Sequence, residues 1–123
     1  MSYITDRKRA EGKGASGTGT LDHWFMQVSA VGLAVLVPTF LFIFGRAFGG
    51  SYEEVLATFA RPVPAILSAL VLVFGLLHFR KGAQMMIEDY MSGSSRKIAI
   101  IAVILFSYGL MATGLFALAK IAL

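Results

Sequence analysis

Three stretches of this chain carry no charged side chain: Trp24 to Phe44, Pro62 to Phe79 and Ile98 to Ala119. An α-helix of about 20 apolar residues spans the ~30 Å hydrocarbon core of a bilayer. Lipid offers no partner for backbone amides, so such a stretch must satisfy them within its own helix. The rest of the chain is too short for a separate soluble domain, and 57% of all residues are hydrophobic against 15% charged. The expected fold is all-α and integral to the membrane. Its three transmembrane helices run at about 24–45, 63–91 and 97–120. They form one anchor domain, 23–123, behind a flexible cytosolic tail, 1–22.

Local signals refine this outline. Ser51 and Glu54 have the spacing of a capping box, and Tyr52, Val55, Leu56 and Phe59 recur at helical intervals. They predict a short amphipathic surface helix at about 52–60, with Glu53 and Glu54 as helix-start charges and not a catalytic pair. Pro62 and Pro64 suit the opening of the second span, where amide donors have no intrahelical acceptor. Pro38 lies inside the first span, where membrane helices tolerate it. Ser92-Gly93-Ser94-Ser95 interrupts the second and third spans, with Gly93 as a stop and a serine as the next cap.

Small residues mark expected helix contacts: Ser29, Ala30, Gly32 and Ala34 on the first span, and Gly109, Thr113 and Ala117 on the third. Gln27 and Ser29 are polar groups about one turn inside the first span. They call for a partner on another helix or in a bound group.

Charge sets the orientation. Of the 11 basic residues, Arg7, Lys8, Arg9 and Lys13 precede the first span, and Arg80, Lys81, Arg96 and Lys97 surround the second turn. Only Arg46, Arg61 and Lys120 lie at the opposite ends. The excess places the N-terminus and the 80–97 region inside. Arg80 and Lys81 are then expected to snorkel to headgroups or to pair with acidic groups of a partner.

Several chemistries are excluded. With no cysteine there is no disulfide, thiolate zinc site or cysteine-held iron–sulfur cluster in this chain. No phosphate-binding glycine loop, HExxH string or paired carboxylates at a plausible acid/base spacing occur. Gly45-Arg46-Ala47-Phe48-Gly49 is a GxxxG string at a helix end with an arginine inside it, and carries no weight.

What remains is one helix face. His78 closes the uncharged part of the second span, and Gly82, Met85 and Asp89 follow it along the same side, with Tyr90 adjacent. Eleven residues place Asp89 about 16 Å from His78 along the axis. Ionisable groups at such depths are costly and tend to be functional. The imidazole suits either a hydrogen bond across helices or axial ligation of haem iron, with its second nitrogen held by an acceptor. A low-spin b-type haem needs two strong ligands, whereas His23 falls at the interface. Three helices are also few to wrap a haem, so ligation implies a partner membrane chain. Tyr90 and Asp89 at the membrane boundary suit either an interface anchor or a quinone site. Quinone reduction needs a hydrogen-bond donor and protons from water.

The spacing His78-x10-Asp89-Tyr90 near the end of the second of three spans resembles the small hydrophobic membrane anchor of succinate dehydrogenase, respiratory complex II. So do the basic tail, the string Gly-Thr-Leu-Asp-His-Trp before the first span and the span spacing; the 45–65 loop resembles alphaproteobacterial members. The resemblance implies that His78 is an axial ligand of haem b, that Tyr90 hydrogen-bonds ubiquinone and that Asp89 supports the proton network there. It implies a subunit that is not an enzyme alone, in the bacterial inner membrane rather than the mitochondrial one. That subunit serves electron transport between the tricarboxylic acid cycle and the respiratory chain. The implied partners are a cytochrome b556-type anchor, which supplies the second haem ligand, an iron–sulfur subunit and a flavoprotein holding FAD. One departure stands out: many members carry an arginine in a Gln-Arg-x-Thr/Ser-Ala pattern, and this chain has Gln27-Val28-Ser29-Ala30. The arginine's role does not carry over, and Ser29 and Gln27 are the polar residues in its place. The alternative is a structural or assembly subunit of another respiratory complex, with His78 as a packing group.

Overall fold

The computed structural model describes residues 4–12 and 17–123; Lys13 and the side chain of Lys8, both counted in the basic tail, lie outside that description. Among the described residues five helices follow in order: α1, Asp6–Glu11; α2, Gly19–Ala47; α3, Tyr52–Ala60; α4, Pro62–Tyr90; α5, Gly93–Ala122. Helices α2, α4 and α5 are each long and apolar enough to cross a membrane. The all-helical three-span reading holds.

The boundaries differ from expectation at three places, one being α5, which starts at Gly93 and not at 97, so that Ser94 and Ser95 fall inside the helix. Helix α2 starts at Gly19, ahead of the expected 24, because Thr20–His23 continue the same helical run with Asp22 in its first turn. An acidic residue there suits the positive end of the helix dipole. A short α1, braced by an Arg7–Glu11 ion pair of 3.0 Å, also lies within the segment read as a flexible tail.

Helix α3 begins as the sequence dictates. The Glu54 amide donates to Ser51 Oγ at 3.3 Å, and the Ser51 amide donates to Glu54 Oε2 at 2.8 Å. Both otherwise orphaned donors are satisfied reciprocally. Phe59 on its apolar side meets the rings of Phe40 and Phe44 on α2, with centroids 6.4 and 6.5 Å away. Between α4 and α5 only Met91 and Ser92 intervene, and Gly93 turns the chain with φ +64°. That left-handed conformation favours glycine.

Helix α4 is the middle element. It packs against α2 on one side and α5 on the other, while among the described residues no Cα of α2 comes within 8 Å of one of α5. The seam with α2 interlocks through glycines. A Cβ placed at Gly32 would lie 3.9 Å from the Phe74 ring, one at Gly75 4.0 Å from Leu33, and one at Gly82 3.5 Å from Met26. The pairing of 32 with 74 and 26 with 82 makes the helices antiparallel. The start of α2, the end of α4 and the start of α5 therefore share one end of the bundle.

The seam with α5 forms beside the small-residue ridge of that helix and not on it. Gly109, Thr113 and Ala117 are exposed, and Gly114 is the close approach: Leu72 fills the space a side chain there would need. The small-xxx-small spacing does not tell which side of α5 meets α4; only packing fixes that rotation. On α2, likewise, Ser29 and Gly32 face the seam, whereas Ala30 does not. Gly114→Val is expected to lower thermal stability in detergent by about 1–3 kcal/mol, the usual cost of overpacking a tight contact. A melting curve matching wild type would contradict this seam.

The interior is inverted relative to a soluble protein. Ser29, Ser68 and Ser107 are buried, Ile87 is the sole buried apolar residue among those described, and most large apolar side chains face outward. Lipid replaces the hydrophobic driving force between helices, leaving close backbone contact and hydrogen bonds to hold them.

Candidate functional site

Helix α4 carries the three residues singled out by the sequence, and its neighbours treat them differently. His78 is half-buried where α4 crosses α2. Its Nδ1 lies 2.8 Å from Ser29 Oγ, which is also 3.1 Å from the Met26 carbonyl oxygen on its own helix. Ser29 is only 1% exposed, so no solvent competes for its hydroxyl. Nε2 of His78 has no hydrogen-bond partner among the described residues. The reading of His78 as a cross-helix hydrogen-bonding group is met by one ring nitrogen, and the other stays available.

Two turns of charge surround this layer. Lys81 Nζ pairs with Asp22 Oδ1 at 2.8 Å, with the lysine side chain 16% exposed. Arg80 faces the other way and lays its guanidinium over the Tyr108 ring of α5, 5.6 Å from the centroid. Its Nε and the hydroxyl of nearby Ser107 are buried without partners. The expectation that both cations snorkel or reach a partner protein therefore needs correcting for Lys81. Its partner lies within the chain, because α2 begins early enough to present Asp22. Tyr108 packs under the Arg80 guanidinium.

Asp89 and Tyr90 lie apart from His78, at the end of α4. Both are exposed, Tyr90 to 86%, and Asp89 makes no ion pair or hydrogen bond with another described residue. The larger grooves are elsewhere. One of about 670 Å³ lies between α3 and α5, around Tyr52, Leu56, Ala117 and Lys120. Another of about 550 Å³ runs along the outer side of α2 past Trp24, Gln27 and Val31. Gln27 on that side has no hydrogen bond among the described residues, so of the two polar groups in the first span only Ser29 finds its partner in this chain. His23 is exposed and six residues from Ser29, about 9 Å along α2, which separates it from the His78 layer. No group of three or more His, Cys, Asp or Glu side chains among the described residues is placed to hold a metal ion.

The family model for the succinate dehydrogenase/fumarate reductase transmembrane subunit matches residues 1–117. This chain belongs to that family. It is also 48% identical to the succinate dehydrogenase hydrophobic membrane anchor subunit of Paracoccus denitrificans, over its whole length and 95% of that protein. No solved structure matches it. The chain is thus a membrane anchor subunit of the succinate dehydrogenase/fumarate reductase type, and membership in such a complex implies partner subunits. The alternative of an unrelated respiratory complex is set aside by this match.

Membership also explains the inverted interior. An anchor subunit with almost no apolar core of its own has its outward residues to share between lipid and neighbouring chains. The pairings that sequence reasoning missed are Ser29 with His78, Lys81 with Asp22 and Arg80 with Tyr108. The signal for the first was present, since a serine and a histidine each lacked a partner at similar depth. What sequence did not supply was the rotation of α2 that joins them.

Proposed function

We propose that this chain is an anchor of succinate:ubiquinone oxidoreductase that co-ligates haem b through His78 and contributes Tyr90 and Asp89 to the ubiquinone-reduction site. The observation that carries the reading is the half-buried His78, with Nδ1 engaged and Nε2 without a protein partner, inside the span of a family anchor subunit. A neutral imidazole with one nitrogen held and one free is the donor that haem iron requires. The donor set fits the group, provided that the second axial histidine comes from the cytochrome b556-type anchor. Bound there, haem b would supply a one-electron redox centre.

The residues of this chain divide the remaining work. Tyr90 Oη donates a hydrogen bond to a quinone carbonyl, which favours the build-up of negative charge on that oxygen during reduction. Asp89, exposed at the same end, exchanges protons with water. Succinate oxidation belongs to the flavoprotein with its FAD, and electrons reach the membrane through the iron–sulfur subunit, so this chain is non-catalytic alone. Eight of the 11 basic residues precede α2 or flank the α4–α5 turn in sequence, which supports an inside orientation in the bacterial inner membrane and docking of the hydrophilic subunits there.

Purification by a tag on this chain tests the reading. The expected preparation contains the second anchor, the iron–sulfur and flavoprotein subunits, a b-type reduced-minus-oxidised spectrum and succinate-dependent ubiquinone reduction. An active complex without b-type haem would overturn the co-ligation claim.

A further inference from the structure

We propose that Ser29 is the positioning residue for His78, fixing the imidazole in the tautomer that leaves the Nε2 lone pair free for iron. This rests on the reading of His78 as a haem ligand. The argument turns on one proton. Ser29 Oγ stands 3.1 Å from the Met26 carbonyl oxygen and 2.8 Å from His78 Nδ1. A carbonyl oxygen only accepts, so the single hydroxyl proton goes to Met26. The hydroxyl oxygen then accepts from Nδ1–H, and Nε2 carries no proton. The opposite tautomer would send the hydroxyl proton to Nδ1 and leave two oxygens facing each other at 3.1 Å with nothing between them. The Met26 carbonyl keeps its helical bond within α2, so the cost is lone-pair repulsion between the two oxygens, which at 1% exposure no water screens.

The two helices are held at this level independently of the serine. Gly32 against Phe74 and Gly82 against Met26 close the seam on either side of the pair, and Asp22–Lys81 ties it nearer the helix end. The Met26 carbonyl belongs to the α2 backbone, so the relay runs from a rigid helix to the ring. An acceptor on the second nitrogen orients a ligating imidazole and raises its basicity, and its loss typically costs 10- to 100-fold in metal affinity. Stronger donation favours the ferric state, so Ser29 also holds the haem potential down.

The test uses the assembled complex with Ser29→Ala, Ser29→Thr and His78→Ala, each checked for co-purification of all subunits. Ser29→Ala is expected to release haem to excess apomyoglobin about 10-fold faster than wild type and to show a raised midpoint potential. Ser29→Thr, which keeps the hydroxyl, is expected to restore both. Wild-type haem release and potential in Ser29→Ala would overturn the proposal while leaving His78 as ligand. If His78→Ala keeps its haem, the underlying reading fails instead. Should Ser29→Ala not assemble, redox-difference infrared spectra of the wild-type complex with 15N-histidine decide alone. A strongly hydrogen-bonded Nδ1–H on the ligand supplied by this chain supports the proposal, and a free one overturns it.

Discussion

His78→Ala is expected to remove the b-type signal from the reduced-minus-oxidised spectrum of the purified complex completely, while the four subunits still co-purify. The size of the effect follows from ligand counting. This chain places one histidine at depth, and His23, exposed near the start of α2, sits about 9 Å from the Ser29 level along the axis. No second donor is poised to take over. Methyl-sized truncation also frees Ser29, whose hydroxyl keeps its bond to the Met26 carbonyl and so remains satisfied. The bundle loses one cross-helix hydrogen bond, which in membranes averages about 0.6 kcal/mol. Glycine interlock and the Asp22–Lys81 pair stay in place. The substitution should therefore separate haem loss from unfolding. His23→Ala is the matched control and is expected to keep the full haem signal. An unchanged spectrum in His78→Ala would leave the residue as a packing group alone.

The second large effect is expected at Tyr90. Tyr90→Phe should slow succinate-dependent ubiquinone reduction by about 10- to 100-fold, the rate equivalent of losing one strong hydrogen bond to a developing negative oxygen. Succinate oxidation by an artificial acceptor, which draws electrons before the quinone site, should persist. The phenol is 86% exposed in the isolated chain and makes no contact that folding depends on, so the mutation removes a hydroxyl and little else. Asp89→Asn should depress quinone reduction in the same assay, since the amide keeps the shape and loses proton exchange. Equal rates for wild type and Tyr90→Phe with both acceptors would make Tyr90 an interface anchor.

Much of this was legible in the chain itself. Uncharged runs of spanning length, the Ser51–Glu54 box and the proline pair ahead of Val63 and Ala65 are local signals, each tied to backbone hydrogen bonding, and each appears as an element in the fold. Boundaries were less legible: polar Thr20 and Asp22 read as part of a flexible tail and His23 as an interface residue, yet they continue α2. Helix faces were the least legible. Gly109-x3-Thr113-x3-Ala117 reads as a contact ridge, and within this chain Gly114, beside that ridge, makes the contact with α4. Within lipid, apolar periodicity carries almost no information about which side faces a neighbour, because both lipid and protein accept the same residues.

The sequence by itself therefore determined that three helices are long and apolar enough to cross the membrane, and that His78, Asp89 and Tyr90 share one helix at different heights along its axis. Those facts follow from hydropathy and a fixed rise per residue. Only the tertiary structure decided what His78 touches. The rotation of α2 against α4 is set by small residues meeting large ones across the seam. That rotation brings Ser29 within 2.8 Å of Nδ1 and turns a lone buried imidazole into one with a held nitrogen and a free one.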